Sequence, residues 1–580
     1  MKRKFLIVPT ILLAALSLAA CKKEQVDQPN NKDDVVIKTI YISPEGKQSN
    51  DGSQESPYDI VTGVSELKKG DTLKVLPGRY MVPRRLNLTV SGDPFNYITI
   101  ENDSTEAAIF DFKAQEFNSL NRGIELNGNY WHFKNIEVVN AGDNGLYIGG
   151  SHNIIENCQF HENRDTGLQL GRGSGSFDNI KDWPSYNLIK NCTSYNNYDD
   201  VTFGENADGF AAKLTVGYGN VFDGCIAYRN SDDGWDLFAK QDSGNIGTVF
   251  LYNCVSFENG FLLNKTTEAG VERFVTRDGD GIGFKLGGST MKGDVVMENC
   301  VAFNNRLHGV GDNSNPGVIS VNNTTCFNNC AALDENGVVI IPDKASSNEA
   351  ESSNFDLARD SKSYNNYTNL LSYVTSATTQ PDRYLGSTEN CLFYAGSNKY
   401  FKISDHTDAS SLETAKRGEV AELNDEAFKS LTPVNGFNNR DIHKTMRNAD
   451  GSVQLGDFLS LVPGELKSSN IGADLTKTSY DAYSHYTPSV LEEGLSDDEI
   501  HVIAAYDALR VNCNSKAVYQ DFLAPANFGG CTINWSSSDS SLASVGDELN
   551  NSISGTQEIV ISVFRQSETK QVTLTAEIEY

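Results

Sequence analysis

Five aspartates, with Lys213 and Lys285, fall in three short segments, NADGFAAKL, SDDGWDLFAK and GDGIGFKL, which share one pattern: an acid, a glycine, then a strand-like run. In this frame Asp208, Asp233 and Asp280 each stand just before a glycine. Asp232 precedes Asp233, Asp236 follows Gly234 by two, and Lys213 and Lys285 each stand four after their glycines. On neighbouring strands about 4.8 Å apart, Asp208, Asp232, Asp233 and Asp236 would converge on one small volume. Carboxylates crowded in this way raise one another's pKa. A hard divalent cation removes the conflict, and Ca²⁺ tolerates an irregular oxygen cage better than Mg²⁺ does. A lone Asp-Gly pair is an ordinary turn; four acids on two consecutive strands favour a Ca²⁺ site. Alternation along a strand also puts Asp236 and Lys285 on one face.

The element that must hold these residues is a repeat. The segments KNIEVVNAGDNG, ENCQFHENRDTG, DGCIAYRNSDDG and ENCVAFNNRLHG align so that Ile136, Cys158, Cys225 and Cys300 each lie nine residues before Gly145, Gly167, Gly234 and Gly309. Two more copies keep both ends but stretch the middle, by eight residues between Cys192 and Gly209 and by eighteen between Cys254 and Gly281. Asn163, Asn197, Asn230, Asn259, Asn305 and Asn329 stand five residues after the Cys position, where a sharp bend would suit asparagine in the left-handed region. Short β-branched and aromatic runs separated by such bends describe a β-solenoid. Its coils would stack a ladder of asparagines and one of reduced, buried cysteines. Alternation alone leaves open which strand face is buried.

The ends of the chain differ from the middle. Residues 1–21 combine Lys2, Arg3 and Lys4, an apolar run and Cys21 after Leu18-Ala19-Ala20, the form of an export leader; residues 22–36 are a polar tether. The solenoid is expected over 37–470, thinning after about 400 with Cys391 as a further rung, and a polar linker over 471–495. Residues 496–580 carry spaced strand candidates, TINWSSSD among them, and are expected to form a small Ig-like β-sandwich in which Cys513 and Cys531 could pair; it would serve as a spacer or a carbohydrate-binding module. The net charge of −29 and pI near 4.7 exclude nucleic acid as a partner and mean that a polyanionic substrate needs a local cation.

The opening stretch with Gly70-Asp71-Thr72 and Pro77-Gly78-Arg79-Tyr80 resembles the start of many parallel β-helix carbohydrate enzymes, and the three acidic segments resemble the signatures of polysaccharide lyase family 9 over roughly residues 38–400. The resemblance implies an all-β, right-handed parallel β-helix that acts on an acidic pectic polysaccharide, with Asp208, Asp232, Asp233 and Asp236 as Ca²⁺ ligands and Lys285 as the base. Lys213 is then a contact to a substrate carboxylate or simply solvated. Arg273 and Arg277, in the longer insertion, could grip a sugar carboxylate; His308 is expected to be packed or solvated. The leader resembles a lipobox, which implies a lipid anchor at Cys21 and an outer-membrane lipoprotein on the surface or periplasmic face, acting as a monomer. Together with the appended domain it resembles rhamnogalacturonan lyases, so an endo-acting lyase of rhamnogalacturonan I is expected ahead of a homogalacturonan pectate lyase. A polygalacturonase-like hydrolase, which would also use paired carboxylates, and a glycan-binding protein that does not cut are the remaining readings.

Overall fold

The computed structural model describes residues 37–476, apart from short segments such as 342–352 and 410–417, and four strands between Asn527 and Ile578. The leader, the tether, most of the linker and Cys513 lie outside the described residues.

From Thr39 onward the chain winds as a parallel β-helix. One coil runs through Ile154–Glu156, Gln159–His161 and Leu168–Leu170, and the next begins at Leu188. Stacking gives a ten-stranded sheet (sheet 1) and two of thirteen strands: sheet 2, which begins at Thr39–Ile42, and sheet 3, which begins at Gly78–Met81. Pairing is parallel until the last coils, where Thr407–Ala409, Lys399–Ile403 and Glu419–Glu422 add antiparallel. The helix Ile60–Glu66, capped by the Asp59 carboxylate on the Thr62 amide at 3.0 Å, buries Ile60 and Gly63 beside the first strands. Among the described residues no helix is long and apolar enough to cross a membrane.

In sheet 1 the faces are fixed by side-chain size. Phe210, Trp235 and Phe284 are register partners that point inward and stack at 5.0 and 4.7 Å. Each is fully buried, contributing about 2–3 kcal/mol by leaving water. Their neighbours Ala211, Asp236 and Lys285 therefore face outward in one line.

The expected ladders are present. Each Asn Nδ2 donates to the next Oδ1, from Asn163 through Asn197, Asn230, Asn259, Asn305 and Asn329 to Asn354, at 2.8–3.0 Å. Asn354, after a long insertion, had no repeat signature in the sequence. The left-handed bend lies one residue before the ladder, at Glu162, Asn196, Arg229, Glu258, Asn304 and Asn328. The ladder asparagines hold the bend through their amides instead of adopting it. Asparagines that precede the cysteines, such as Asn157 and Asn191, do take positive φ. Cys158, Cys192, Cys225, Cys254, Cys300 and Cys391 are buried and unbridged, with thiols directed at backbone carbonyls.

After the coils, residues 424–476 do not continue the helix. They lie along the outer face of sheet 3 and cover an aromatic row of register partners, Tyr195, Tyr228, Phe257, Phe303, Phe327 and Tyr373. Phe428, Ile442, Met446 and Phe458 pack on it, the Tyr228 hydroxyl lies 2.7 Å from His443 Nδ1, and the Arg447 guanidinium donates to the Cys192 carbonyl at 2.8 Å and the Gly224 carbonyl at 3.0 Å. Within the span 37–470 expected to be solenoid, sheet 3 runs as far as Glu419–Glu422 and the residues from 424 on form a strap along it. Of the region expected to form a sandwich, the described residues beyond 526 form one antiparallel sheet of Asn527–Phe528, Cys531–Ser537, Gly555–Arg565 and Glu568–Ile578.

Asn230→Ala should leave the backbone amide of Asn197 and one of its two Nδ2 donors buried without partners and lower stability by about 2–3 kcal/mol, read as a shift in the denaturation midpoint. The ladder cysteines should resist alkylation in the folded protein and react once it is denatured.

Candidate active site

The outward line of sheet 1 carries the acidic cluster where the Asp208, Asp233 and Lys285 coils meet. Carboxylate oxygens of Asp208, Asp232 and Asp233 all lie within 4.8 Å of one another. Asp208 and Asp233 are fully buried and Asp232 nearly so. Backbone amides hold the cluster in place: Asp233 N donates to Asp208 Oδ1 at 3.2 Å, Ile282 N to Asp233 Oδ1 at 2.7 Å, and Asn206 N and Asp280 N to the two oxygens of Asp232 at 3.0 and 2.7 Å. The Thr166 hydroxyl donates to Asp208 Oδ2 at 3.1 Å.

Two ammonium groups face these acids. Lys285 Nζ is 3.0 Å from Asp233 Oδ2 and 3.2 Å from Asp280 Oδ2. Lys213 Nζ is 2.6 Å from Asp208 Oδ2 and 3.1 Å from Asp236 Oδ2. Lys213 is buried, so its charge is directed at this chain's own carboxylates and is not solvated. Asp236 stands beside the three clustered acids, joined to them through Lys213. It is the direct register partner of Lys285, as the alternation required.

The register corrects one alignment made from sequence. Gly209 and Gly234 align with Gly283, since Phe210 N donates to Gly234 O and Trp235 N to Gly283 O. Ile282, not Asp280, therefore occupies the coil position of Asp208 and Asp233, and the coil-mate of Lys285 is Ala211, not Lys213. The insertion before Gly281 hid two residues of offset. Asp280 instead reaches the cluster from that insertion. Arg273 lies on the strand Gly270–Val275 of a hairpin within it, and Arg277 is outside the described residues. His308 is buried, with Nε2 3.2 Å from Asp356 Oδ2 and Nδ1 accepting the Ser353 amide. Sequence reasoning missed Asn206 and Ile282 as supports, because backbone donors leave no side-chain signature, and Thr166, whose hydroxyl comes from the preceding coil.

Burial pushes the Asp208 and Asp233 carboxyls well above the usual carboxylate range; Lys213 and Lys285 oppose the shift, and neighbouring aspartates add to it. Burial also raises Asp232. Burial alone would lower the Lys285 ammonium, but Asp233, Asp236, Asp232 and Asp280 outweigh it and hold it well above the ordinary lysine range. The residues fit a hard divalent cation: the donors are all carboxylate oxygens, and the buried Asp233 Oδ2 accepts no hydrogen bond despite the nearby ammonium.

A family model described as "Pel9A-like, right handed beta helix region" matches residues 40–354. The chain is 38% identical over 442 residues to a protein named pectate lyase L from Paenibacillus polymyxa (strain SC2), covering 75% of this chain and 85% of that one. Among solved structures, pectate lyase Pel9A superposes with a TM-score of 0.54 at 26% identity, covering 74% of this chain and 90% of that one. A rhamnogalacturonan lyase superposes with a TM-score of 0.53 at 23% identity, covering 75% and 99%, a likeness of fold.

Lys213→Met should leave Asp208 and Asp236 without their buried counter-charge and destabilise the metal-free protein by about 3–5 kcal/mol, with thermal unfolding in chelator as the readout. Asp233→Ala should weaken Ca²⁺ binding by about 100-fold or more, measured by isothermal titration.

Proposed function

The chain belongs to polysaccharide lyase family 9 and is a pectin-degrading polysaccharide lyase, and on that footing we propose that it cleaves polygalacturonate by Ca²⁺-dependent β-elimination with Lys285 as the base. The observation that carries the reading is the position of the Lys285 ammonium, 3.0 Å from Asp233 at the edge of the carboxylate cluster and on the outward face of the sheet. Asp208, Asp232 and Asp233 would hold the cation, with Asp236 close by. When bound, Ca²⁺ supplies positive charge that offsets these acids and the carboxylate of the sugar.

The protein's own groups do the rest. Lys285 must first give up its own proton to solvent, once the carboxylates that hold it charged are offset; as the neutral amine it then takes the C5 proton of a galacturonate at Nζ. The electron pair left at C5 forms the C4–C5 double bond as the C4–O bond breaks, and the departing oxygen gains a proton. Lys213 stays paired with Asp208 and Asp236 and so keeps the cluster from flying apart electrostatically. A hydrolase would use a pair of carboxylates as acid and base on a water; the lysine held at the edge of this cluster suits proton abstraction from the sugar instead.

Polygalacturonate stands ahead of rhamnogalacturonan I, which the leader and appended domain had pointed to. The relative whose length is 85% covered is named a pectate lyase, whereas the rhamnogalacturonan lyase supports the fold alone. The leader ending at Cys21 supports an outer-membrane lipoprotein; palmitate labelling of wild type, lost in Cys21→Ala, is the expected result.

A panel of polygalacturonate, methylated pectin and rhamnogalacturonan I should give an ultraviolet-absorbing unsaturated product, fastest on polygalacturonate. The product should vanish in chelator and return with Ca²⁺. Lys285→Ala should lower kcat about a thousandfold while polymer binding persists. Reducing ends without absorbance would make the enzyme a hydrolase, and preference for rhamnogalacturonan I would overturn the assignment of polymer.

A further inference from the structure

The eight-residue insertion that precedes the Asp208 strand has been accounted for so far only by its end, where Asn206 N donates to Asp232. Its crest exposes two apolar side chains, Val201 at 61% and Phe203 at 46%. Phe203 is the one exposed aromatic side chain among the described residues. An apolar pair left facing solvent beside a buried charged cluster calls for a reason.

The loop is built to hold this pose. The Asp199 carboxylate accepts the Val201 amide at 2.8 Å, the Thr202 amide at 3.2 Å and the Thr202 hydroxyl at 2.7 Å. Gly204 O accepts the Ser231 hydroxyl at 2.7 Å, and Phe203 O takes the Asp278 amide at 3.4 Å. Gly279 packs so tightly here that a Cβ would meet Ser231 O at 2.1 Å and Gly204 O at 2.8 Å. The two insertions are thus fastened together, and two residues beyond Asp278 the Asp280 carboxylate meets Lys285. Phe203, Gly204 and Asn206 all take positive φ, at 58°, 107° and 75°. For a bulky aromatic this backbone is unfavourable, and strain of that kind persists where surrounding contacts over-determine it, often at ligand-binding sites.

We propose that Phe203, flanked by Val201, is a stacking platform for a sugar ring of the bound polysaccharide beside the point of cleavage. The inference rests on the pectic reading above. A galacturonate ring is anionic at its carboxylate but carries a patch of C–H bonds on one face, and that face suits an aromatic ring. The division of labour follows from the chemistry: the acidic cluster handles charge, while Phe203 offers an apolar contact that needs no counter-ion. A chain of net charge −29 gains from such a contact, since it holds a polyanion without drawing on electrostatics.

Because the backbone at 203 is left-handed, Phe203→Gly removes the ring without opposing the loop, and its thermal midpoint should equal or exceed that of wild type. On polygalacturonate its KM should rise about five- to tenfold with kcat within about twofold, and Phe203→Trp should keep the wild-type KM. Retardation in gels containing polygalacturonate, run in the Lys285→Ala background, should fall in parallel. An unchanged KM and unchanged retardation in Phe203→Gly would discard the platform while leaving the lyase reading intact. Absence of unsaturated product from wild type on every pectic polymer would remove the lyase reading, and the platform with it.

Discussion

Everything the site requires follows from one constraint: each coil must lie in register on the last. The asparagine amides enforce it, because an Nδ2 that misses the next Oδ1 leaves one of its two donors buried and unpaired. Asn230 stands only three residues before Asp233, so the ladder that fixes the bend also fixes the cluster. Insertions are tolerated because they leave the stack after one ladder asparagine and rejoin it before the strand. The chain can thus vary its loops freely while the strand positions stay in line.

Within that frame the electrostatics are balanced only in part. Five carboxylates, of Asp208, Asp232, Asp233, Asp236 and Asp280, are met by the ammonium groups of Lys213 and Lys285. Amide donors stabilise the acids locally but carry no net charge. Excess negative charge is therefore concentrated where desolvation makes it most costly, and a divalent cation is the species that relieves it. The same excess holds Lys285 protonated, which ties the state of the base to the state of the carboxylates.

The sequence made legible whatever recurs at short range. The Cys and Asn ladders, the shared face of Asp236 and Lys285, and the grouping of Asp208, Asp232 and Asp233 could all be read from spacing. Asp280 was misplaced because the insertion before Gly281 carries an unknown offset, and a glycine two residues on, Gly283, is the true coil-mate. The burial of Lys213 was hidden because it depends on which carboxylates surround the side chain, not on strand parity. The strap was illegible for a further reason: its partners lie from about fifty to more than two hundred residues back, as with Asp425 and Tyr373 or Arg447 and Cys192, so no local period announces it.

That strap has a bearing on how the molecule comes into being. Coils can stack one after another as the polypeptide leaves the ribosome, since each needs only its predecessor. The aromatic row on sheet 3 has no such neighbour. Tyr195 and Tyr228 are made early, yet His443, which packs on them, follows more than two hundred residues later. During synthesis a greasy stripe along the growing solenoid stays wet until the final turns arrive, and a chain truncated before residue 424 would keep it so. Synthesis through residue 476 thus becomes the condition for covering the stripe.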